Sequence, residues 1–217
     1  MPQGYAFILT YGRSGSTILQ KILNTIDGYK ILGENYNALY DLFRSCVALR
    51  KTHGSWPNGP APLPWLGASE IDPGGFEKDV VAAFIEHILR PEPTARVVGF
   101  KEIRFPIGSD ADMLDFLNFI ETYFPNSKII FNVRNAEDVA KSSWRRNSEP
   151  ERVFKMVARA DGFFRGAVEA SPQNRYVVDY DAYVKDPQQL EGLFKFLGEP
   201  LDLPKIKEAL EVRLTHK

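Results

Sequence analysis

A short loop rich in glycine and serine, near the N-terminus, constrains this chain more than any other stretch. Residues 5–10 are apolar and β-favouring, and apolar residues recur at helical spacing between Ile18 and Ile26. Gly12 and Gly15 lie between these two segments, and glycine permits both positive φ and close approach of a ligand to the backbone. Such a loop leaves several N–H groups unpaired at a helix N-terminus, where the helix dipole favours an anion. The segment therefore predicts a strand, an anion-binding loop and a helix.

The side chains of this loop suit a phosphate-like group. They are Arg13, Ser14, Ser16 and Thr17. The hydroxyls can donate hydrogen bonds to phosphate oxygens, and the arginine supplies positive charge. The alternative is an ordinary helix cap after a strand, with Ser14 or Ser16 as the capping residue.

The loop is not a Walker A sequence, which needs a glycine, four residues and then Gly-Lys-Ser/Thr. Ser16 follows Gly15 in place of the lysine, and Thr10 occupies the position of the first glycine. An ordinary ATPase or GTPase is therefore disfavoured.

The composition is that of a globular domain. With 217 residues, of which 44% are hydrophobic and 25% charged, the chain can bury a core as one domain, residues 1–217. A net charge of −1 does not favour a general nucleic-acid or membrane-surface role. Cys46 is the single cysteine, which excludes an internal disulfide and a cysteine-based zinc cluster. No apolar run reaches the ~20 residues that span a bilayer, and no basic segment precedes the first strand, so we expect a cytoplasmic location.

Predicted strands alternate with predicted helices along the chain. This alternation is typical of a three-layer α/β fold, with a central, mainly parallel sheet and helices on both faces. The later strands are predicted at residues 29–33, 96–100, 128–133 and 175–179. Residues 52–72 interrupt the pattern with prolines, glycines and two tryptophans, Trp56 and Trp65. We interpret this irregular segment as either a lid on the substrate side or a packed surface loop.

Charged and aromatic residues follow the predicted strands. Ligands of such folds bind at the carboxyl ends of the strands, so we expect these side chains to converge on one edge of the sheet. The residues are Arg13, Glu34, Lys101, Arg134 and Tyr180.

A second anion site is predicted after the fourth strand. Arg134 leaves the end of that strand. The next predicted helix runs from Asn135 through Trp144, and Ser142 lies two turns into it. An arginine fork and a hydroxyl that converge in this way can hold one phosphate. The alternative is that Arg134 pairs with Asp138 and that Ser142 lies on a solvated helix face.

Three segments, in this order, resemble the sulfotransferases that use 3′-phosphoadenosine 5′-phosphosulfate (PAPS). They are the loop at residues 12–17, the Arg-Asn-x-x-Asp-Val-Ala-x-Ser motif at residues 134–142, and the strand and helix at residues 177–198. The resemblance implies a P-loop-like fold and an enzyme that moves a sulfuryl group from PAPS to a hydroxyl or amine acceptor. It also implies release of 3′-phosphoadenosine 5′-phosphate (PAP) and no metal. Because many eukaryotic cytosolic members have lysine in place of Arg13, the chain is more similar to bacterial and carbohydrate-type members.

The resemblance implies roles for individual residues in donor binding. Arg134 and Ser142 are expected to bind the 3′-phosphate, and Tyr180 is expected to approach the adenine. The first loop is expected to bind the 5′-phosphosulfate. Its residues are Gly12, Arg13, Ser14, Gly15, Ser16 and Thr17.

The resemblance also implies catalytic residues. Arg13 is expected to contact the bridging or leaving oxygen of the donor. Glu34 is expected to be the base, and Lys101, together with Glu102, forms a second set of candidate catalytic residues. Glu102 and His53 are the alternative bases, and the alternative role of Glu34 is a structural ion pair with Lys101 or Arg13.

The acceptor is expected to be a small molecule, a sugar or a lipid, and not a nucleic acid. Two other functions compete with sulfuryl transfer. One is a catalytically silent protein that binds PAP or serves as a scaffold. The other, which the missing Walker lysine disfavours, is a nucleotide or small-molecule kinase.

Overall fold

A central parallel sheet organises the structure. The structure is a computed structural model and describes residues 2–55, 64–105, 108–142 and 149–211. Within these residues the sheet has five strands in the order β2-β3-β1-β4-β5, and all pairings are parallel. The strands are β1 (Gly4–Leu9), β2 (Tyr29–Leu32), β3 (Val97–Glu102), β4 (Ser127–Val133) and β5 (Arg175–Asp179). The predicted parallel α/β sheet is confirmed.

The central strand, β1, is flanked by β3 on one side and β4 on the other. The chain moves outward from β1 to β2 and later crosses to the opposite half of the sheet to form β4 and β5. The strand order therefore reverses beside β1, and ligands of doubly wound sheets bind where this reversal occurs. The loop that follows β1 lies at that place.

Helices cover both faces of the sheet, as predicted. The α-helices of the described residues, including two in a separate compact unit, are α1 (Ser16–Leu23), α2 (Ala38–Ser55), α3 (Pro73–Phe84), α4 (Asp110–Tyr123), α5 (Ala136–Lys141), α6 (Pro150–Ala170), α7 (Tyr180–Lys185), α8 (Glu191–Leu197) and α9 (Leu203–Glu211). Short 3₁₀ helices lie at Ala68–Glu70 and Pro187–Leu190, and a π-helical turn at Ile85–Leu89 follows α3. No helix among the described residues is long and apolar enough to cross a membrane.

The core divides at β1 because successive side chains of a strand point to opposite faces. On one face, Ala6 and Ile8 belong to the buried cluster that also contains residues of α1, α7, α8 and α9. On the other face, the ring of Phe7 meets that of Phe124 at 5.2 Å, at the end of α4. There, Phe131 of β4 stacks on Phe164 of α6 at 4.5 Å. The two packed faces fix the direction in which the ends of the strands project.

The chain consists of two compact units, residues 1–36 with 91–217 and residues 37–90. The first contains the sheet and its covering helices. The second contains α2 and α3, whose contact includes an ion pair between Arg50 and the buried Glu77. The assignment of residues 1–217 to one domain stays a prediction.

The ends of the predicted irregular segment, residues 52–72, are helical in part. Helix α2 continues into this segment as far as Ser55, and a 3₁₀ helix covers Ala68–Glu70. Residues 56–63, which include Trp56, lie outside the described residues, so the prediction of a lid stays a prediction.

Candidate active site

The loop between β1 and α1 is tied to β4 by two short hydrogen bonds. The hydroxyl of the buried Thr10 donates to the carbonyl oxygen of Asn132 over 2.6 Å. The Asn132 side-chain amide donates to the carbonyl oxygen of Ser14, also over 2.6 Å. Both hydrogen bonds connect residues more than 100 positions apart in the chain. They fix the path of the loop before α1 begins.

Two residues of the loop have left-handed backbone conformations. Gly15, the N-cap of α1, has φ 84°, and Arg13 has φ 73°. The helix begins at Ser16, and the N-cap makes no side-chain capping hydrogen bond. The alternative in which Ser14 or Ser16 caps the helix is therefore wrong, because glycine takes the cap position and the left-handed turn leaves the first amides of α1 uncapped.

Buried hydrogen-bonding groups without partners gather around this loop. Within the described part of the chain, three such atoms are Nε of Arg13, Oγ of Ser14 and Nε of Arg134. The Ser14 residue is completely buried. Buried polar groups are paired in the large majority of cases, so this set marks a place where a polar ligand completes the hydrogen bonding. Two guanidinium groups and a hydroxyl suit an anion.

Arg134, at the carboxyl end of β4, joins the loop directly. Its Nη1 donates to the carbonyl oxygen of Arg13 over 3.1 Å, and its guanidinium carbon lies 4.6 Å from the ring centroid of Tyr180. Its Nε lies 3.9 Å from a carboxylate oxygen of Asp181. The carboxylate partner is therefore Asp181, on α7, and not the Asp138 of the alternative interpretation.

Tyr180 is the first residue of α7, a short helix that the sequence did not predict, and Asp179 caps it. The Tyr180 ring lies against the loop between β1 and α1: a Cβ added to Gly15 would come within 2.1 Å of the ring atom Cδ2. The structure thus brings Arg13, Gly15, Arg134 and Tyr180 together. Gly15 is required both for its positive φ and for this close contact.

Ser142 does not lie where the sequence predicted. Helix α5 ends at Lys141, and Ser142 is its C-cap, with extended backbone dihedrals of φ −67° and ψ 144°. Its hydroxyl donates to the carbonyl oxygen of Val139 over 2.7 Å. A serine hydroxyl that bonds the preceding turn competes with helix continuation, which explains the early end. Residues 143–148, including the predicted helix end at Trp144, lie outside the described residues.

Glu34 lies between two basic residues after β2. One carboxylate oxygen is 2.7 Å from Nζ of Lys101, and the other is 3.0 Å from Nη1 of Arg104. Burial raises the pKa of Glu34, but the hydrogen bonds and charges of Lys101 and Arg104 outweigh burial, so the pKa is lowered from its ordinary value. Glu34 is therefore a carboxylate at neutral pH.

The alternative bases differ in their surroundings. The buried Glu102 accepts hydrogen bonds from the backbone amides of Ile103 and Arg104, at 2.9 and 3.1 Å, and from the Arg104 guanidinium. Its Oε1 is thus engaged in holding the turn after β3. His53 lies in the last turn of α2, in the second compact unit, and not in an irregular loop as predicted.

A model of the sulfotransferase family matches residues 6–203. The chain belongs to the sulfotransferase family. The match includes the loop between β1 and α1, Arg134 and Tyr180, so the family predicted from the three motifs is confirmed. The enzyme's reaction class is accordingly sulfuryl transfer.

Solved structures share the fold of this sulfotransferase. The sulfotransferase domain of the Synechococcus PCC 7002 olefin synthase has 20% identity and a TM-score of 0.61, over 96% of this chain and 76% of that one. The sulfotransferase domain from the curacin biosynthetic pathway has 20% identity and a TM-score of 0.56, over 98% and 79%. A sulfotransferase from Alicyclobacillus acidocaldarius has 17% identity and a TM-score of 0.50, over 97% and 90%. No curated protein matches significantly.

Several residues that support the candidate site were not predicted from the sequence. The buried Tyr11 accepts a hydrogen bond from the backbone amide of Arg134 over 2.9 Å, and its hydroxyl lies 3.2 Å from Asp161 on α6. Burial, followed by the charge of Asp161, raises the pKa of Tyr11, which keeps the phenol protonated. Of these supporting residues, only Asn132 carries a signal in the sequence, because it is a polar residue inside an apolar strand.

Proposed function

We propose that the enzyme binds PAPS at the carboxyl edge of its sheet and transfers the sulfuryl group to a hydroxyl or amine acceptor. The observation that supports the proposal is the 3.1 Å hydrogen bond from Arg134 to the carbonyl of Arg13, because it joins the two elements that we propose to bind anions. PAPS has anionic groups on both its 3′ and 5′ positions, so it requires two such elements at one edge. A nucleotide with a single phosphate group would use only one.

In this proposal the loop holds the 5′-phosphosulfate and Arg134 holds the 3′-phosphate. The amides at the start of α1 and the buried Ser14 hydroxyl donate to the phosphosulfate oxygens, and Arg13 neutralises the leaving phosphate. Arg134 can use its remaining N–H donors for the 3′-phosphate while Nη1 stays hydrogen-bonded to the loop. The loop residues are Gly12, Arg13, Ser14, Gly15, Ser16 and Thr17.

Ser142 and Tyr180 have secondary parts in donor binding. The Ser142 hydroxyl bonds Val139 in this structure and would have to rotate to reach a phosphate, so Arg134 carries most of the 3′-phosphate binding. The Tyr180 ring packs on Gly15 and beneath the Arg134 guanidinium, which leaves its exposed part for the adenine. It therefore supports the loop as well as the base.

Glu34 and Lys101 serve the transfer step in this proposal. As the acceptor oxygen attacks sulfur in line, a new O–S bond forms, and the bond from sulfur to the phosphate oxygen breaks. PAP leaves with that electron pair, and the acceptor proton moves to Glu34. A lowered pKa makes Glu34 a weak base, which is sufficient because the acceptor oxygen becomes acidic as it bonds to sulfur. Lys101 keeps Glu34 ionised and supplies positive charge near the transferring group.

A thermal-shift comparison of PAP, ATP and GTP tests the donor assignment. PAP alone is expected to raise the melting midpoint, because a ligand that binds only the folded state stabilises it. Arg134→Ala should weaken PAP binding by about 2–4 kcal/mol and so reduce the shift. Arg159→Ala is the matched control, since Arg159 forms an exposed pair with Asp110 on another part of the molecule. A larger shift with ATP than with PAP would refute the proposal.

The acceptor class and the location are part of the same proposal. We expect a small-molecule, sugar or lipid acceptor in the cytoplasm, and no nucleic acid. A transfer screen with radiolabelled PAPS against sugars, lipids, phenols, peptides and RNA would identify the class. Label in RNA would contradict the expectation.

A further inference from the structure

We infer that Arg134 has a second role, as a positioning residue that holds the loop between β1 and α1 in its binding conformation. The inference rests on the proposed donor site and deepens it. It means that the subsites for the two ends of the nucleotide are coupled through one side chain.

The loop needs an external support because its backbone is strained. Arg13 has φ 73°, in the left-handed region that disfavours residues with a Cβ. Strain of this kind persists only where the surrounding structure holds the residue in place. Two side chains from the end of β4 do so: Arg134 binds the carbonyl of Arg13, and Asn132 binds the carbonyl of Ser14.

Arg134 is itself fixed from several directions. Its backbone amide donates to the hydroxyl of the buried Tyr11 over 2.9 Å, and its guanidinium stacks on Tyr180. Asp181 lies 3.9 Å from its Nε and also accepts the amide of the next residue, Asn135, over 2.7 Å. A side chain held in this way can support the loop and not merely follow it.

The guanidinium geometry allows both roles at once. Arginine has five N–H donors in a fixed plane, and Nη1 uses one of them for the Arg13 carbonyl. The Arg134 side chain is 23% exposed, so its other N–H donors are left for the 3′-phosphate. Loss of Arg134 should therefore weaken binding at the loop even for a nucleotide that has no 3′-phosphate.

Calorimetric titration with PAP and AMP separates the two roles, because AMP has the 5′-phosphate and lacks the 3′-phosphate. With Arg134→Ala we expect the affinity for PAP to fall about 100-fold and that for AMP about tenfold. Arg134→Lys keeps the charge but not the fork, so it should restore part of the PAP affinity and none of the AMP affinity. Unchanged AMP affinity in Arg134→Ala would overturn the inference.

Hydrogen exchange in the ligand-free protein gives a second readout that does not depend on the donor. The amide of Ile18 donates to the carbonyl of Gly15 over 2.9 Å, so its exchange rate reports on whether the turn into α1 is formed. Arg134→Ala should speed its exchange relative to the wild type and to the Arg159→Ala control, and unchanged exchange would also overturn the inference. If neither nucleotide binds the wild type, the proposed donor fails, and the exchange measurement still decides whether Arg134 supports the loop.

Discussion

The basic residues around Glu34 determine its pKa. Lys101 and Arg104 hold both of its carboxylate oxygens, and they lower its pKa in spite of its burial. Glu34→Gln should lower turnover by about 10²–10⁴-fold, because an amide cannot accept the acceptor's proton. The affinity for PAP should change little.

Steady-state kinetics with any acceptor from the transfer screen, together with PAP calorimetry, would check this expectation. Glu92→Gln is the matched control, since Glu92 also pairs with a lysine, Lys30, but on the exposed surface. Full turnover in Glu34→Gln would remove Glu34 from the mechanism.

The lowered pKa of Glu34 also predicts a dependence of stability on pH. The folded pKa lies below the unfolded value of about 4.3, so Glu34 contributes stability above that value and loses it as pH falls through the folded pKa. Urea unfolding of the wild type and Glu34→Gln, from pH 7 down to pH 3, should show a difference in free energy that shrinks toward acid. A difference that stays constant over this range would mean that Glu34 has the same pKa in both states.

At the scale of elements, the turn from β1 into α1 depends on Gly15. Gly15→Ala places a methyl group within 2.1 Å of the Tyr180 ring and at φ 84°, so both the ring and the turn must move. We expect a loss of PAP affinity and of stability. Gly162→Ala, in α6, is the control: nothing lies within 4 Å of the added Cβ, and alanine should raise the free energy of unfolding by about 0.5–1 kcal/mol. Equal behaviour of the two variants in denaturation and calorimetry would disprove this account of the turn.

Local pattern predicted the elements of the site, while individual hydrogen bonds and ring contacts decided its details. The glycines of the loop and the residues at strand ends could be predicted because strand and helix periodicity locate the edge of the sheet. The sequence did not predict the left-handed conformation of Arg13, the helix that starts at Tyr180 or the C-cap at Ser142. Each depends on a hydrogen bond or a ring contact whose partner the periodic pattern does not specify.

At the scale of the whole molecule, the opposite end of the sheet contains a buried ion pair. Arg175, at the start of β5, has a side chain only 2% exposed and lies 2.6 Å from Glu121 of α4. It also donates to the side chain of Asn118 over 2.9 Å. Arg175→Ala leaves Glu121 without this partner and should cost about 3–5 kcal/mol, whereas Arg159→Ala breaks an exposed pair and should cost about 0–1 kcal/mol. Chemical denaturation would measure both, and equal losses would mean that the buried pair does not anchor β5.

The overall fold was predictable because alternating strands and helices admit few arrangements. The order of the strands was not, since it requires knowing that β4 pairs with β1 across more than 100 residues. The contacts that support the site also join residues that lie far apart in the chain. Asp161 reaches Tyr11 across 150 positions, and no periodicity records such a pair.

A crystal structure with PAP tests the central claim most directly, because it needs no acceptor. We expect the 3′-phosphate within hydrogen-bond distance of the Arg134 guanidinium and the 5′-phosphate against the amides at the start of α1. The Arg13 carbonyl should remain bonded to Arg134. PAP bound elsewhere, or with its 3′-phosphate away from Arg134, would contradict the account.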